Sequence, residues 1–173
     1  MYIENDKLII RSINKGDAKG IMDLRNDIEV YRYEPSHLIE LQGSIDEALA
    51  SIANMDLYKD RQCILGVFKI DNPNSLIGIA EFYDYKLSGD IISIGYRLLS
   101  KYWGQGLGPS CVSALLDYIR KNTEVKIVTA HVLPENIKSI RCLQKNGFEY
   151  LTRKKEDWGR GELLDTDIYK FDC

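Results

Sequence analysis

The chain has 173 residues, 45% of them hydrophobic, and no Pro/Gly/Ser-rich linker, repeat or low-complexity block, so a single domain spanning residues 1–173 is expected. Its 23 basic and 26 acidic side chains are interspersed and sum to a formal charge of −3, which leaves no basic footprint for nucleic acid. No apolar run approaches the roughly 18 residues of a membrane span, and the polar, acidic start Met1-Tyr2-Ile3-Glu4-Asn5-Asp6 is unlike a secretory leader. Lys7-Leu8-Ile9-Ile10-Arg11 reads as an opening strand. Asp17 offers an N-cap for a helix whose apolar positions are Ile21, Met22 and Leu24. Tyr31 to Ser36 breaks the pattern, because Pro35 biases Glu34 towards an extended backbone. Ser44-Ile45-Asp46-Glu47 has the form of a capping box opening a second helix with Ala48, Leu49 and Ile52.

From Gln62 the pattern turns to strands: 63–70 and 76–83 around the turn Asp71-Asn72-Pro73-Asn74, then 91–99. A helix over 110–121, a strand over 125–132 and a helix over 137–146 follow. Two strands near 148–155 and 163–171 close the chain around Gly159-Arg160-Gly161. Strands and helices in this order predict an α/β (α+β) domain, a mixed sheet with helices on its faces. The four cysteines, Cys63, Cys111, Cys142 and Cys173, form no CxxC pair and no metal-ligand spacing with His37 or His131. Reduced thiols, no metal and a cytoplasmic setting are expected.

Two segments carry chemistry. Tyr102-Trp103-Gly104-Gln105-Gly106-Leu107-Gly108 joins a strand to a helix. A glycine-rich turn at a helix N-terminus makes an anion site, because the first backbone N–H groups lack intrahelical partners and the macrodipole places positive potential there. The glycines permit positive φ and close approach of the backbone to phosphate oxygens, and Pro109 is expected at the first helical position. No Lys-Ser/Thr follows, so this is not a Walker loop. In the second segment, Asn136 should cap a helix beginning at Ile137, Ile140 and Leu143 should face the core, and Gly147 should end the helix in a left-handed cap.

In this order and spacing the two segments resemble the GCN5-related N-acetyltransferase superfamily. The loop is similar to its pyrophosphate motif, Gln/Arg-x-x-Gly-x-Gly/Ala. Gly106 and Gly108 match, Trp103 replaces the first Gln or Arg, and Pro109 departs from the common residue. Tyr-Trp-Gly ahead of the loop and the spacing Gly161, Asp165, Tyr169 resemble the branch containing ribosomal-protein N-terminal acetyltransferases. Residues 31–60, where the family usually sets its acceptor, match nothing specific. The resemblance implies a mixed, mostly antiparallel central sheet flanked by helices, with acetyl-CoA as co-substrate and no metal. Its implied cofactor residues are Leu98 and Leu99 near the thioester, Trp103, Gly104, Gln105, Gly106, Leu107 and Gly108 at the phosphates, and Asn136 with Ser139 beside the arm. The strand before the loop is expected to splay from its neighbour and pair with that arm.

Acetyl transfer to an amine needs the thioester held beside a neutral amine and donors for the developing oxyanion. Glu81, an acid within the apolar run 76–82, is the expected base and part of the acceptor site, with Tyr33 and Glu34 as further acceptor-lining residues. The position where many relatives of this branch carry an acid, just before Ile-Gly-Tyr, is Ser93. Leu143 stands where several members have a proton-donating tyrosine, so Ser139 is the expected donor to the leaving thiolate. His131, at a strand end, defaults to a structural role. By this resemblance the acceptor is a protein or peptide N-terminal amine. The alternatives are a polyamine or another small amine, or a non-catalytic acyl-CoA sensor. A homodimer is common in such folds.

Overall fold

A computed structural model describes residues 1–33, 43–86, 88–159 and 161–173. Among these, Tyr2–Glu4 (β1), Leu8–Arg11 (β2), Cys63–Lys69 (β3), Asn72–Tyr83 (β4), Ile91–Leu98 (β5), Ile127–Val132 (β6), Glu149–Asp157 (β7) and Leu163–Asp172 (β8) form one sheet. Its order is β1-β2-β3-β4-β5-β6-β8-β7. Every neighbouring pair is antiparallel except β5 with β6. The helices are Ala18–Arg25 (α1), Ile28–Tyr31 (α2), Ile45–Ala53 (α3), Leu57–Asp60 (α4), Leu107–Asn122 (α5) and Ile137–Lys145 (α6). The expected mixed, mostly antiparallel sheet flanked by helices is the observed one. Among the described residues no helix is long and apolar enough to cross a membrane.

Two apolar layers cover the sheet, one per face. On the first, Leu8, Ile10, Leu65, Val67, Ala80, Phe82, Ile92 and Ile94 pack against Cys111, Val112, Leu115 and Ile119 of α5. On the second, Ile64, Phe68, Leu76 and Ile79 pack against Ile21 and Leu24 of α1 and Leu49 and Ile52 of α3. Strand side chains alternate between faces, so consecutive residues serve different layers. Burying one such side chain contributes about 1.5–3 kcal/mol, and the region between the strands and α5 carries much of the molecule's apolar burial.

Several local expectations change. Asn14, rather than Asp17, opens the first helix: its side chain accepts from Gly16 N and caps a single 3₁₀ turn over Lys15–Asp17 that runs into α1. Asp17 is buried and is spent differently, accepting from Arg11 Nη1 at 2.9 Å, Arg11 Nη2 at 3.0 Å and Asn14 N at 2.9 Å. Met22 is exposed, because Ile21 and Leu24 define the buried stripe and the residue after Ile21 turns about 100° away from it. β4 begins at Asn72, not near 76: Lys69 pairs with Asn72, and irregularities between Val67 and Lys69 absorb the difference. β1 and the four-residue helices α2 and α4 had no expected counterpart. The capping box at Ser44 is present, with Glu47 N donating to Ser44 Oγ at 3.2 Å and Ser44 N to Glu47 Oε2 at 2.9 Å. Gly147 ends α6 at φ 86 as expected. None of the four cysteines is disulfide-bonded.

Candidate active site

The site begins with an interrupted strand pair. β5 and β6 run parallel through Ile91–Ile127, Ile92–Val128 and Ser93–Thr129, and pairing then stops although β5 continues to Leu98 and β6 to Val132. The two strands splay beyond that point, as the resemblance implied. Ser93 is buried, and its hydroxyl is hydrogen-bonded to that of Thr129 at 2.8 Å where the pairing ends. Past it, Tyr96 and Leu98 point to the α5 side and Gly95 and Arg97 to the other.

On the helix side, a cavity of about 340 Å3 is bordered by Tyr96, Leu98, the loop residues Tyr102 to Gly104 and Gly106 to Pro109, Asn136, Ser139 and Cys142. Gly104 at φ 76 and Gly106 at φ 74 take the left-handed backbone that the cradle requires, and Gly106 forms the N-cap of α5. The helix thus starts at Leu107, earlier than expected, and Pro109 is its third residue instead of its first. That position is still inside the first turn, where a missing N–H breaks no intrahelical bond. Gly108 is closely packed: a Cβ there would lie 3.0 Å from the Tyr96 hydroxyl and 3.2 Å from Cys142 Sγ, so those side chains would have to give by a few tenths of an ångström. Trp103 donates from Nε1 to Leu98 O at 2.7 Å, which ties the loop to the end of β5. The Trp103 ring also meets Tyr33 at 6.2 Å. Asp27, which caps α2, accepts from Ser100 N at 2.6 Å and holds that helix beside the loop.

Sequence reasoning missed the cations at this cleft. Lys138 and Arg141 of α6 border it, with Lys138 Nζ 4.9 Å from the Trp103 ring centroid. Lys7 lies across the loop, where a Cβ on Gly106 would stand 3.6 Å from its ammonium. It is held there because Asn5 Nδ2 donates to Ser110 O and Oγ, each at 3.0 Å, fastening the β1–β2 turn to the start of α5. The first-turn N–H groups of α5, which have no acceptor within the helix, two left-handed glycines and three cations suit the phosphates of a nucleotide cofactor.

Asn136 accepts from Ser139 N at 3.2 Å and caps α6, placing Ser139 on the cleft wall. Tyr96 was also missed. Its hydroxyl faces Cys142 and Ser139, and burial, followed by the Cys142 thiol, pushes the phenol well above its ordinary range, so it stays protonated. The alternation Ile94, Tyr96, Leu98 was the available signal for it. Leu98 and Leu107 reach the cleft, whereas Leu99 does not: it turns into the second apolar layer, and its N–H is bound to Ile77 O at 2.9 Å. Gln105 is exposed and donates to Lys101 O at 3.1 Å, away from the cavity wall. Tyr33 borders the cleft near Trp103, and Glu34 lies outside the described residues.

On the opposite side a second cavity, of about 630 Å3, is bordered by Gln62, Ile64, Glu81, Tyr83, Asp84, Gly95, Arg97 and His131, with Glu156 to Gly159 from the end of the β7–β8 hairpin. Arg97 borders both cavities. Glu81 lies over Gly95, where a Cβ would collide with its carboxylate, and pairs with Arg97 Nη2 at 3.0 Å. Both side chains are largely buried, 4% exposed for Arg97 and 15% for Glu81, so this pair is shielded from the screening that weakens surface pairs. His131 Nδ1 is 2.9 Å from Glu156 Oε2.

Comparison with known proteins agrees with this geometry. Residues 7–149 match the acetyltransferase (GNAT) domain family. The chain belongs to the GNAT acetyltransferase family. It is therefore an N-acetyltransferase, and it is 27% identical over 169 residues to YoaA, an uncharacterised N-acetyltransferase of Bacillus subtilis, covering 96% of this chain and 94% of the relative. Among solved structures, the spermidine N-acetyltransferase of Vibrio cholerae in complex with CoA and spermine superposes with a TM-score of 0.77 at 21% identity, covering 97% of this chain and 96% of that one. An acetyltransferase of Salmonella typhimurium that modifies the N-terminal serine of ribosomal protein L7/L12 gives 0.74 at 16% identity, with 100% and 99% covered. These two GNAT structures share the fold of this chain, and they span polyamine and ribosomal-protein branches alike.

Proposed function

We propose that this GNAT enzyme transfers the acetyl group of acetyl-CoA to the primary amine of a cationic acceptor, and that the two co-substrates approach from opposite faces of the sheet. The observation that carries this reading is the pair of cavities on either side of the β5–β6 break, with Arg97 bordering both. The cleft with the glycine loop, Lys7, Lys138 and Arg141 would hold the CoA phosphates. Leu98, Trp103, Leu107, Asn136 and Ser139 would flank the arm, and the edge of β5 that parts from β6 beyond Ser93 would offer it strand-like hydrogen bonds. Ser139, with the Tyr96 hydroxyl facing it, would supply the proton for the leaving thiolate.

The second cavity would receive the acceptor. Among the described residues its wall carries four carboxylates, Glu81, Asp84, Glu156 and Asp157, against one guanidinium, Arg97. Such a wall attracts a protonated amine and favours further positive charge along the same molecule. A polyamine answers that description best. A peptide N-terminus is the second reading, favoured by the cavity's volume of about 630 Å3, which exceeds what one small amine fills. Glu81, already engaged by Arg97, would orient the acceptor and balance charge there, with Tyr33 on the glycine-loop side beside Trp103.

Thiol release from acetyl-CoA tests the reading, with spermidine, a serine-leading peptide, a lysine peptide and benzylamine, a monoamine that carries no charge beyond its own ammonium, as acceptors. Spermidine is expected to exceed benzylamine in kcat/KM by about tenfold or more at low salt, with the advantage shrinking as salt rises. Equal rates for the two amines would overturn the preference for an acceptor with further positive charge. Cofactor binding without release by any amine would favour an acyl-CoA sensor.

A further inference from the structure

We propose that His131, held by Glu156, takes the proton from the acceptor amine. This rests on the acetyl-transfer reading above and assigns it a residue. His131 stands on β6 two positions beyond Thr129, the last residue of that strand paired with β5. It therefore flanks the opening between the strands and shares a face with Ser93, Gly95 and Arg97, in the cavity assigned to the acceptor. Its Nδ1 lies 2.9 Å from Glu156 Oε2, with the two side chains 20% and 27% exposed. Tyr83 stands edge-on to the ring, centroids 6.0 Å apart at 77°, and restricts the imidazole plane.

A carboxylate on Nδ1 selects the tautomer with Nδ1–H, leaves the lone pair on Nε2 and stabilises the imidazolium once a proton arrives. The remaining charged groups around the cavity are Glu81 and Asp84 at the end of β4, Arg97 on β5 and Asp157 on β7. Glu81 and Arg97 neutralise each other at 3.0 Å. Imidazole is the side chain that ordinarily changes charge between about pH 5 and 8, where carboxyl groups have already lost their protons.

An ammonium loses two protons on becoming an amide. One passes to His131 Nε2, which frees the nitrogen lone pair to bond the acetyl carbonyl carbon, and goes on to solvent through the open cavity. The other leaves the nitrogen as the C–S bond breaks and ends on the sulfur of the released CoA. In this scheme Glu156 is a positioning residue and His131 the group in contact with the acceptor.

Two measurements test the dyad. The first needs no turnover: in protein carrying His37→Gln, His131 is the single imidazole of the native chain, and its tautomer is read from a long-range 1H–15N spectrum at pH 8. The Nδ1-protonated form is expected, changing to the Nε2-protonated form in Glu156→Leu. An Nε2-protonated ring in the protein with Glu156 intact would overturn the proposal. The second is the pH dependence of thiol release with spermidine and with a serine-leading peptide. His131→Gln should lower kcat about 100-fold and abolish the ascending acid limb, with the acetyl-CoA Kd unchanged within about threefold. Glu156→Gln, whose amide oxygen still accepts from Nδ1–H, should recover about tenfold over Glu156→Leu. Unaltered kcat and pH profile in His131→Gln would refute the role. If the unmutated enzyme binds acetyl-CoA but releases thiol with neither acceptor, the acceptor reading fails, and the tautomer decides the dyad separately.

Discussion

Replacing Gly106 by alanine and by aspartate separates backbone strain from charge in the loop proposed to cradle phosphate. Gly106 has φ 74, and a Cβ there meets nothing closer than the Lys7 ammonium at 3.6 Å, so alanine pays for its backbone alone. That strain is about 1–2 kcal/mol, or a fall in Tm of roughly 2–8 °C for a domain of this size. Aspartate tolerates the left-handed region better than alanine and gains Lys7 as a partner, so its stability loss should be no larger. Binding should rank the other way. A carboxylate about 6 Å from a phosphate charge, at an effective dielectric near 20, opposes binding by about 3 kcal/mol. Lys7 offsets part of this, leaving a 10- to 100-fold rise in Kd. Calorimetric titration with acetyl-CoA, beside thermal melts of both variants, reads the two orders. Folded Gly106→Asp binding acetyl-CoA within about threefold of the unmutated protein would refute the cradle.

Lys138→Glu and Arg141→Glu should each weaken acetyl-CoA binding about tenfold at low salt and less at 0.5 M salt, measured by the same titration. Tyr96→Phe and Ser139→Ala should each lower kcat, and the double variant should lose less than the product of the two, because the hydroxyls face each other; a product equal to the separate losses would show independent roles. The protein should lose stability in alkali. Burial pushes Cys63 up to about 11 and Cys111 up to about 12 from an ordinary 9.0. The unfolded chain therefore releases these protons first, and the stabilisation, complete below about pH 9, falls as pH rises through 11 to 12. Urea midpoints across pH 8–11 measure this slope, which Cys111→Ala should reduce.

The features legible in the sequence are those closed within a few residues. The Ser44–Glu47 box, the Asn136 cap on Ser139 N and the left-handed Gly147 each depend on a single turn of chain. The glycine loop was legible for the same reason, since its φ values and its helix N-terminus are local properties. Contacts formed across the sheet were not. Lys7 reaches Gly106, Glu81 pairs with Arg97, and His131 meets Glu156 only because the strand order and the β7–β8 hairpin bring them together. Leu98 and Leu99 show how fine the distinction is: one residue of alternation sends the first to the cleft and the second to the core. Met22 fails for the helical counterpart of this reason, one position away from a buried stripe it does not join.

The Ser93–Thr129 bond sits where the β5–β6 pairing ends, the point on which the site's strand register turns. Three residue pairs join β5 to β6, and the last of them is the one bonded side chain to side chain, at 2.8 Å. The side chains beyond it on β5 are apportioned by alternation, with Tyr96 and Leu98 to the cleft beside the glycine loop and Gly95 and Arg97 to the cavity on the other face. A slip of one residue would exchange those two sets. Ser93→Ala leaves the Thr129 hydroxyl without its partner and should cost about 1–3 kcal/mol, as should Thr129→Val in the opposite sense. The double variant removes both polar groups and should cost less than the sum. If the bond also fixes where the strands part, both single variants should weaken acetyl-CoA binding and amine turnover together, because the two cavities share the same hinge point. Variants that lose stability while keeping both functions intact would assign the bond to the core alone, and the splay would then be set by the departure of the chain into the glycine loop.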